Sequence, residues 1–434
     1  MTPAARLAAA IEVVGAIDSE RRPAADALKA WGLKHRFAGS GDRAAIAGLV
    51  YDALRRRASS AYLMGADSPR AILLGMLKRE RALDTEAIGR LASGGQYAPE
   101  ALSDDERRRL DAADLSGAPP HVLGDYPEWL DERFARTFGE ARAEEGAALA
   151  ARAPLDLRVN TLKAERDSVS AMLSDLAPAP TRWSPWGLRV RLKAEAKSPA
   201  IHAEPAFLKG LIEVQDEGSQ LAALLSGAQA GDHVVDLCAG AGGKTLALAA
   251  MMTNKGQIFA TDSDKRRLAP IHDRLKRAGA RNVQVRTPKT VGGELDDLNG
   301  RIDLVLIDAP CTGTGTWRRN PDAKWRMRSG ALDERVKEQA AILDRAVPLV
   351  KRGGRIVYVT CSVLDEENGG QLRAFLTRHP QFALVPPAEV AEAALGERAF
   401  MFGKAARFSG EGILMTPRTT DTDGFFVGVL RCGE

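Results

Sequence analysis

Cysteine is scarce in this sequence: four among 434 residues, with no two in a C-x-x-C pair. That spacing argues against a disulfide framework and a structural zinc site, so no metal is expected. Also absent is any apolar run long enough to cross a bilayer. The opening M-T-P-A-A-R-L-A-A-A-I turns polar too soon for a secretory leader. No internal repeat or low-complexity segment stands out. The remainder, 45% hydrophobic and 27% charged, has the composition of a globular protein. A reducing cytoplasm is the expected home, with no membrane partner.

Charge of one sign is in slight excess only, the formal net charge being +4. Whole-chain charge therefore does not establish a nucleic-acid partner. Local clusters say more: Arg55-Arg56-Arg57, Arg107-Arg108-Arg109, Lys265-Arg266-Arg267 and Arg318-Arg319. Each reads as a solvated face or as part of a basic surface. The second follows Asp104-Asp105-Glu106 and is expected to be neutralised on its own helix.

A chain of this length predicts two or three domains. Residues 1–145 read as a helical bundle: alanine, leucine and arginine dominate, and apolar positions recur at three and four spacings. Breaks are expected near Pro23, Gly39-Ser40-Gly41, Ser68-Pro69, Gly94-Gly95 and Pro119-Pro120. Residues 146–225 mix strand-like L-D-L-R-V-N-T-L, G-L-R-V-R-L and L-I-E-V-Q with one helical stretch, a small α+β module. Residues 226–434 alternate short apolar strands with helices, the pattern of a mostly parallel sheet with ligands at its carboxyl ends.

The first strand of that last part runs into D-L-C-A-G-A-G-G-K-T, Asp236 to Thr245. Its glycines allow a tight turn and close backbone approach to a ligand. A P-loop would end on Gly243-Lys244-Thr245, but Cys238 stands where its first glycine belongs. A dinucleotide fingerprint fails too, because Lys244 and Thr245 follow where the third glycine belongs. S-adenosylmethionine needs a shorter turn, and Asp262 at the next strand's end has the spacing of a ribose-binding carboxylate. As a lone residue, Asp262 also fits a helix N-cap.

Two further strands end on cysteines. L-V-L-I-D-A-P-C-T-G-T-G places Cys311 after Asp308, and V-Y-V-T-C-S-V-L-D-E-E-N places Cys361 before an acidic run. A strand-end cysteine beside a helix N-terminus suits a reactive thiolate, whereas a lone cysteine is more often a small core residue. The acidic run Asp365-Glu366-Glu367 is expected to oppose thiolate formation while suiting a helix first turn. T-W-R-R-N-P-D-A-K-W-R, Thr316 to Arg326, mixes basic and aromatic residues as a strand-guiding wall would, or packs under a loop.

D-L-C-A-G-A-G-G-K-T, D-A-P-C-T-G-T-G, T-C-S-V-L-D-E-E-N and D-G-F-F together resemble the RNA cytosine-5 methyltransferases of the RsmB/Nop2/Sun family. R-V-N-T-L-K and V-Q-D-E-G-S-Q look like that family's preceding module, and G-D-R-A-A-I-A-G-L-V-Y-D-A-L-R-R like its NusB-type helical domain. The resemblance implies an α/β, Rossmann-like class I methyltransferase domain behind an RNA-recognition-like α+β module and an all-α NusB-like domain. It implies Cys361 as nucleophile at cytosine carbon 6, Cys311 in product release, Asp308 at ring nitrogen 3, and Lys244 at the base or the cofactor end. The S-adenosylmethionine site it implies comprises Cys238, Ala239, Gly240, Ala241, Gly242, Gly243, Lys244, Asp262, Arg267 and Asp308. Two departures stand out: Ala241 replaces a usual proline, and N-V-Q-V-R-T-P-K-T lacks the aspartate usual at the third strand. Ribosomal RNA of the small subunit is the implied substrate, with a monomer expected. Transfer RNA, and a non-catalytic role in ribosome assembly, stay open.

Overall fold

Apolar residues three and four apart form a succession of helices from Pro3 to Ala150 in the computed structural model, which describes residues 1–192, 199–288 and 293–433. The helix breaks fall at the glycines and prolines expected from the sequence. Thr2 caps Pro3–Glu20, Ser68 caps Pro69–Arg79, and Ser103 with Glu106 forms a capping box on Asp104–Asp111. Leu7, Val14, Ile46, Leu54, Ile72, Leu74, Ile88 and Leu110 bury their side chains in one core.

The arginine clusters here are paired rather than free. Arg55 meets Asp52, Arg56 meets Glu80 and Asp125, and Arg57 meets Asp18 and Asp67. Arg108 and Arg109 both pair with Asp105 on their own helix.

The chain divides into two compact units, one made of Met1–Arg152 with Trp317–Met327. The expected strand-guiding wall is therefore corrected: Trp317, Arg318, Asp322 and Lys324 are buried in the helical unit. Trp317 is buried and stacks on Phe134 with ring centroids 5.9 Å apart. Lys324, wholly buried, donates to the carbonyls of Arg55 at 3.0 Å and Asp125 at 2.6 Å. Trp325 Nε1 donates to the Leu54 carbonyl at 2.6 Å. The Trp325 indole N–H and the desolvated Lys324 ammonium are thus satisfied by backbone carbonyls.

The second unit holds two sheets. The first contains β1 (Leu155–Val159), β2 (Ala179–Pro180), β3 (Gly187–Val190) and β4 (Ile212–Val214), in the antiparallel order β2-β3-β1-β4. The second contains β5 (His233–Asp236), β6 (Gln257–Ala260), β7 (Val283–Val285), β8 (Ile302–Asp308) and β9 (Val350–Thr360). Its later strands are β10 (Phe382–Leu384), β11 (Arg407–Phe408), β12 (Ile413–Met415) and β13 (Phe425–Cys432). Strand order runs β11-β12-β13-β9-β8-β5-β6-β7, with β5 to β9 parallel and β13 antiparallel against β9. The order reverses at β5, which leaves a crevice outside the carboxyl ends of β5 and β8. Lys289 and Thr290, the end of the stretch that lacks the third-strand aspartate, lie outside the described residues.

Buried polar contacts join the two sheets. Arg189 on β3 forks onto Asp156 at 2.7 and 2.8 Å and also reaches Asp421. Asn160 Nδ2 donates to Gly210 O and Ala278 O, at 2.9 and 2.8 Å. The R-V-N and V-Q-D residues thus serve as structural joints of this unit.

Candidate active site

The glycine turn follows β5 because its backbone must reverse at once. Gly240 and Gly242 have φ of +49° and +85°, and a Cβ on Gly242 would lie 2.5 Å from the Ile271 side chain. The helix Gly243–Met251 then starts with Lys244 and Thr245 buried. Thr245 Oγ1 donates to Asp236 Oδ2 at 2.6 Å, while the other Asp236 oxygen has no hydrogen-bond partner among the described residues. Burial pushes the Asp236 carboxyl up to about 7, opposed by the Thr245 bond. Cys238 is half-buried, and its thiol is pushed well up by burial and the surrounding carboxylates.

The small module braces this turn. Arg274 donates to Ala241 O at 2.8 Å and pairs with Glu213 of β4 at 2.9 Å. Arg158 Nε donates to Gln215 Oε1 at 2.6 Å, beside the turn.

Asp262 lies past the end of β6, buried, and is drawn to the turn: Gly240 N donates to its Oδ2 at 2.9 Å. Its Oδ1 accepts from Asp264 N at 2.9 Å, and Arg267 stands 3.8 Å away. The helix cap is Asp264, which accepts from Arg266 N at 2.8 Å, so Asp262 is not the N-cap that its position also allowed. Each carboxylate oxygen retains acceptor capacity beyond these bonds. The turn Cys238–Gly243, Lys244, Asp262 and Arg267 therefore form one wall. Its close backbone, buried carboxylate and unpartnered Asp236 oxygen fit a nucleoside bearing a ribose diol and a positive end.

Opposite lie the ends of β8 and β9. Lys244 Nζ binds Asp308 Oδ2 at 2.7 Å and sits 5.1 Å from the Phe425 ring centroid. Cys311 and Cys361, both half-buried, bring their Sγ atoms to 3.3 Å. No α-helix starts directly after Cys361; a single 3₁₀ turn, Asp365–Glu367, precedes the helix Gly369–Arg378. The expected helix N-terminus is thus set back from the thiol, because Asn368 and Ser362 first close a local network.

The two cysteine loops are stitched together. Gly315 N donates to Cys361 O at 2.9 Å, Thr314 Oγ1 lies 3.0 Å from Ser362 Oγ, and Val363 N donates to Thr314 Oγ1 at 2.9 Å. Gly424 N donates to Gly315 O at 2.8 Å, and a Cβ on Gly315 would fall 2.1 Å from Gly424 O. Only glycine fits where these backbones meet. All four sequence motifs therefore converge on one crevice.

Sequence reasoning did not single out Thr312, Thr314, Ser362 or Gln339, nor the buried contacts of Glu367. The polarity of the T-G-T-G and D-E-E-N runs signalled Thr312, Thr314 and Glu367, but nothing local signalled Ser362 or Gln339. Acidic Asp365 is turned away and pairs with Arg373, whereas Glu367 is buried against Thr312.

Residues 223–431 match the family described as 16S rRNA methyltransferase RsmB/F, and residues 126–195 match the RsmF/B-like ferredoxin-like domain. Together these spans exceed half of the chain. The ribosomal RNA small subunit methyltransferase B of Salmonella newport (strain SL254) is 37% identical over 263 residues, 60% of this chain and 59% of that protein. The match thus covers less than two thirds of that relative's length. The solved structure of PH0851 superposes with a TM-score of 0.70 and 26% identity, over 99% of both chains. NSun6 from Pyrococcus horikoshii with SFG gives a TM-score of 0.61 at 22% identity, over 72% of this chain and 100% of that one, a likeness of fold.

Proposed function

The chain belongs to the RsmB/Nop2/Sun family, and from that premise we propose that it is an S-adenosylmethionine-dependent methyltransferase forming 5-methylcytosine in small-subunit ribosomal RNA. The observation that carries this reading is the thiol pair Cys311–Cys361, set beside Lys244–Asp308 at the ends of β8 and β9.

Carbon 5 of cytosine is a poor nucleophile. Attack of the Cys361 thiolate on carbon 6 moves the ring's electron pair onto carbon 5, which makes it reactive. Asp308, held by Lys244, donates a hydrogen bond or a proton to ring nitrogen 3 and so stabilises the negative charge developing there. Once carbon 5 carries the methyl group, a solvent water takes its proton, the electron pair of that C–H bond re-forms the carbon 5–carbon 6 double bond, and Cys361 departs as thiolate. Cys311 stands within contact of the departing sulfur and assists that release. When bound, S-adenosylmethionine supplies the electrophilic methyl group. Cys238 to Lys244, Asp262 and Arg267 would hold it, with Asp308 at the methyl end.

The target base must be unstacked to expose carbons 5 and 6. We assign residues 1–145 to a NusB-like RNA-binding domain, 146–225 to an RNA-recognition-like module and 226–434 to catalysis, in a cytoplasmic monomer. Bisulfite sequencing of ribosomal and transfer RNA from cells lacking the protein tests the substrate. Loss of one 5-methylcytosine from small-subunit rRNA is expected. Loss confined to transfer RNA would overturn the assignment.

A further inference from the structure

The residue after Cys311 and the residue before it are both tied to one buried carboxylate network. Glu367, wholly buried, accepts from Thr312 N at 2.8 Å, from the Thr312 hydroxyl, and from Gln339 Nε2 at 3.0 Å. The same Gln339 nitrogen donates to Pro310 O at 2.9 Å, and Gln371 in turn donates to Gln339 Oε1 at 3.2 Å. Tyr358 donates its hydroxyl to the Glu367 carbonyl at 2.7 Å, which fixes the backbone beneath the carboxylate. Its side-chain partners are thus neutral donors. A carboxylate satisfied by neutral donors in a dry site keeps its field on its neighbours.

That field falls on a pair of thiols. Two sulfurs 3.3 Å apart resist double ionisation, as two carboxylates sharing a site do, so the pair retains one proton across a wide pH range. Which sulfur keeps it depends on the charges around them. Facing Cys311 are the Cys361 thiol, the Gly313 N–H, Tyr358 and Glu367; Asp236, Asp308 and Lys244 lie at the neighbouring strand ends, and Asp365 and Glu366 follow Cys361 on its own segment. The Cys311 thiol is held well above its ordinary range, first by the hydrogen bond with Cys361, then by burial and by the charges of Cys361 and Glu367, against the Gly313 N–H.

We propose that Glu367 is the positioning residue of the thiol pair, seating the Cys311 loop and assigning the shared proton to Cys311. In that arrangement the Cys311 S–H donates to the Cys361 sulfur. This role rests on the methyltransferase reading for its purpose, but its test does not depend on methyl transfer. Glu367→Gln preserves acceptor and shape while removing the charge, and Glu367→Asp withdraws the charge by one methylene.

Iodoacetamide alkylation of each cysteine in the full chain, read by peptide mass spectrometry across pH, reports the Cys311 midpoint. In Glu367→Gln that midpoint is expected to fall by about one pH unit, and in Glu367→Asp by less. A purely structural loss would expose all four cysteines alike, so Cys238 and Cys432 serve as the internal control. The same downward shift is expected in a Cys361→Ala background, which removes the proposed nucleophile. A shift without methyl transfer in the parent protein would uphold the role of Glu367 and overturn the catalytic reading. A Cys311 midpoint unchanged in the Gln variant, or in the Asp variant should the Gln variant not fold, would overturn the role itself.

Discussion

The sulfur atoms of Cys311 and Cys361, 50 residues apart in sequence, lie 3.3 Å from one another across the ends of two neighbouring parallel strands. β8 and β9 pair in register from Leu304 with Arg355 to Asp308 with Val359, so residues just beyond each strand end are neighbours. Under the function proposed above, one of these adjacent thiols attacks and the other attends the departing sulfur, a division of labour that single substitutions test. Cys361→Ala is expected to reduce methyl incorporation into RNA roughly a thousandfold or more. Cys311→Ala should instead accumulate a covalent protein–RNA adduct, visible as a slow band on a denaturing gel. Equal activity in the two variants would refute the assignment.

Cofactor affinity should depend on Asp262. Its oxygens anchor the glycine turn through Gly240 N and retain capacity for a diol. Removing a charged hydrogen-bond partner weakens binding by roughly tenfold to a hundredfold. Titration calorimetry of S-adenosylmethionine into Asp262→Ala checks this. Undetectable binding to the parent protein would leave only the non-catalytic role.

Gly315 and Gly424 lie backbone against backbone, with no room for a methyl group on either. Gly315→Ala is expected to destabilise the second unit by about 1–3 kcal/mol, since Gly424 cannot back away without breaking its N–H bond to Gly315 O. Urea unfolding followed by tryptophan fluorescence measures the loss. A variant as stable as the parent would mean that the two loops are free to separate.

Lys324 makes the helical unit's stability sensitive to pH. Burial, opposed by Asp125 and reinforced by Arg56, Arg55 and Arg79, brings its ammonium down from 10.5 to about 7. Between those values the unfolded chain holds a proton that the folded chain lacks, so stability rises with pH across that window. Below pH 7 both states are charged and the penalty is fully present. Calorimetric melting of the full chain at intervals from pH 7 to 10 should show this rise, and Lys324→Met should flatten it. An identical slope in the variant would place the titrating group elsewhere.

Much was legible before any coordinates. Helix breaks at Pro23, Gly39-Ser40-Gly41 and Ser68-Pro69 could be read locally, because proline and glycine act on the backbone where they stand. Strand β8 and the end of β9 announced themselves as apolar runs, since a strand covered on both faces has nowhere to place polar side chains. The wall expected from Thr316 to Arg326 shows the limit: tryptophan, lysine and arginine look the same in a string whether they face solvent or a core. Their burial in the helical unit depends on carbonyls of Arg55, Asp125 and Leu54, far away in sequence.

The motifs by themselves determined that a glycine turn, a strand-end carboxylate and two strand-end cysteines exist, because local spacing sets turns and strand ends. Only the tertiary structure decided their relationships: that β8 and β9 are neighbours, that Gly315 meets Gly424, and that Glu367 lies beneath the Cys311 loop. Such contacts join residues about 50 to 110 positions apart, a distance over which periodicity carries no information and chain packing alone chooses the partner.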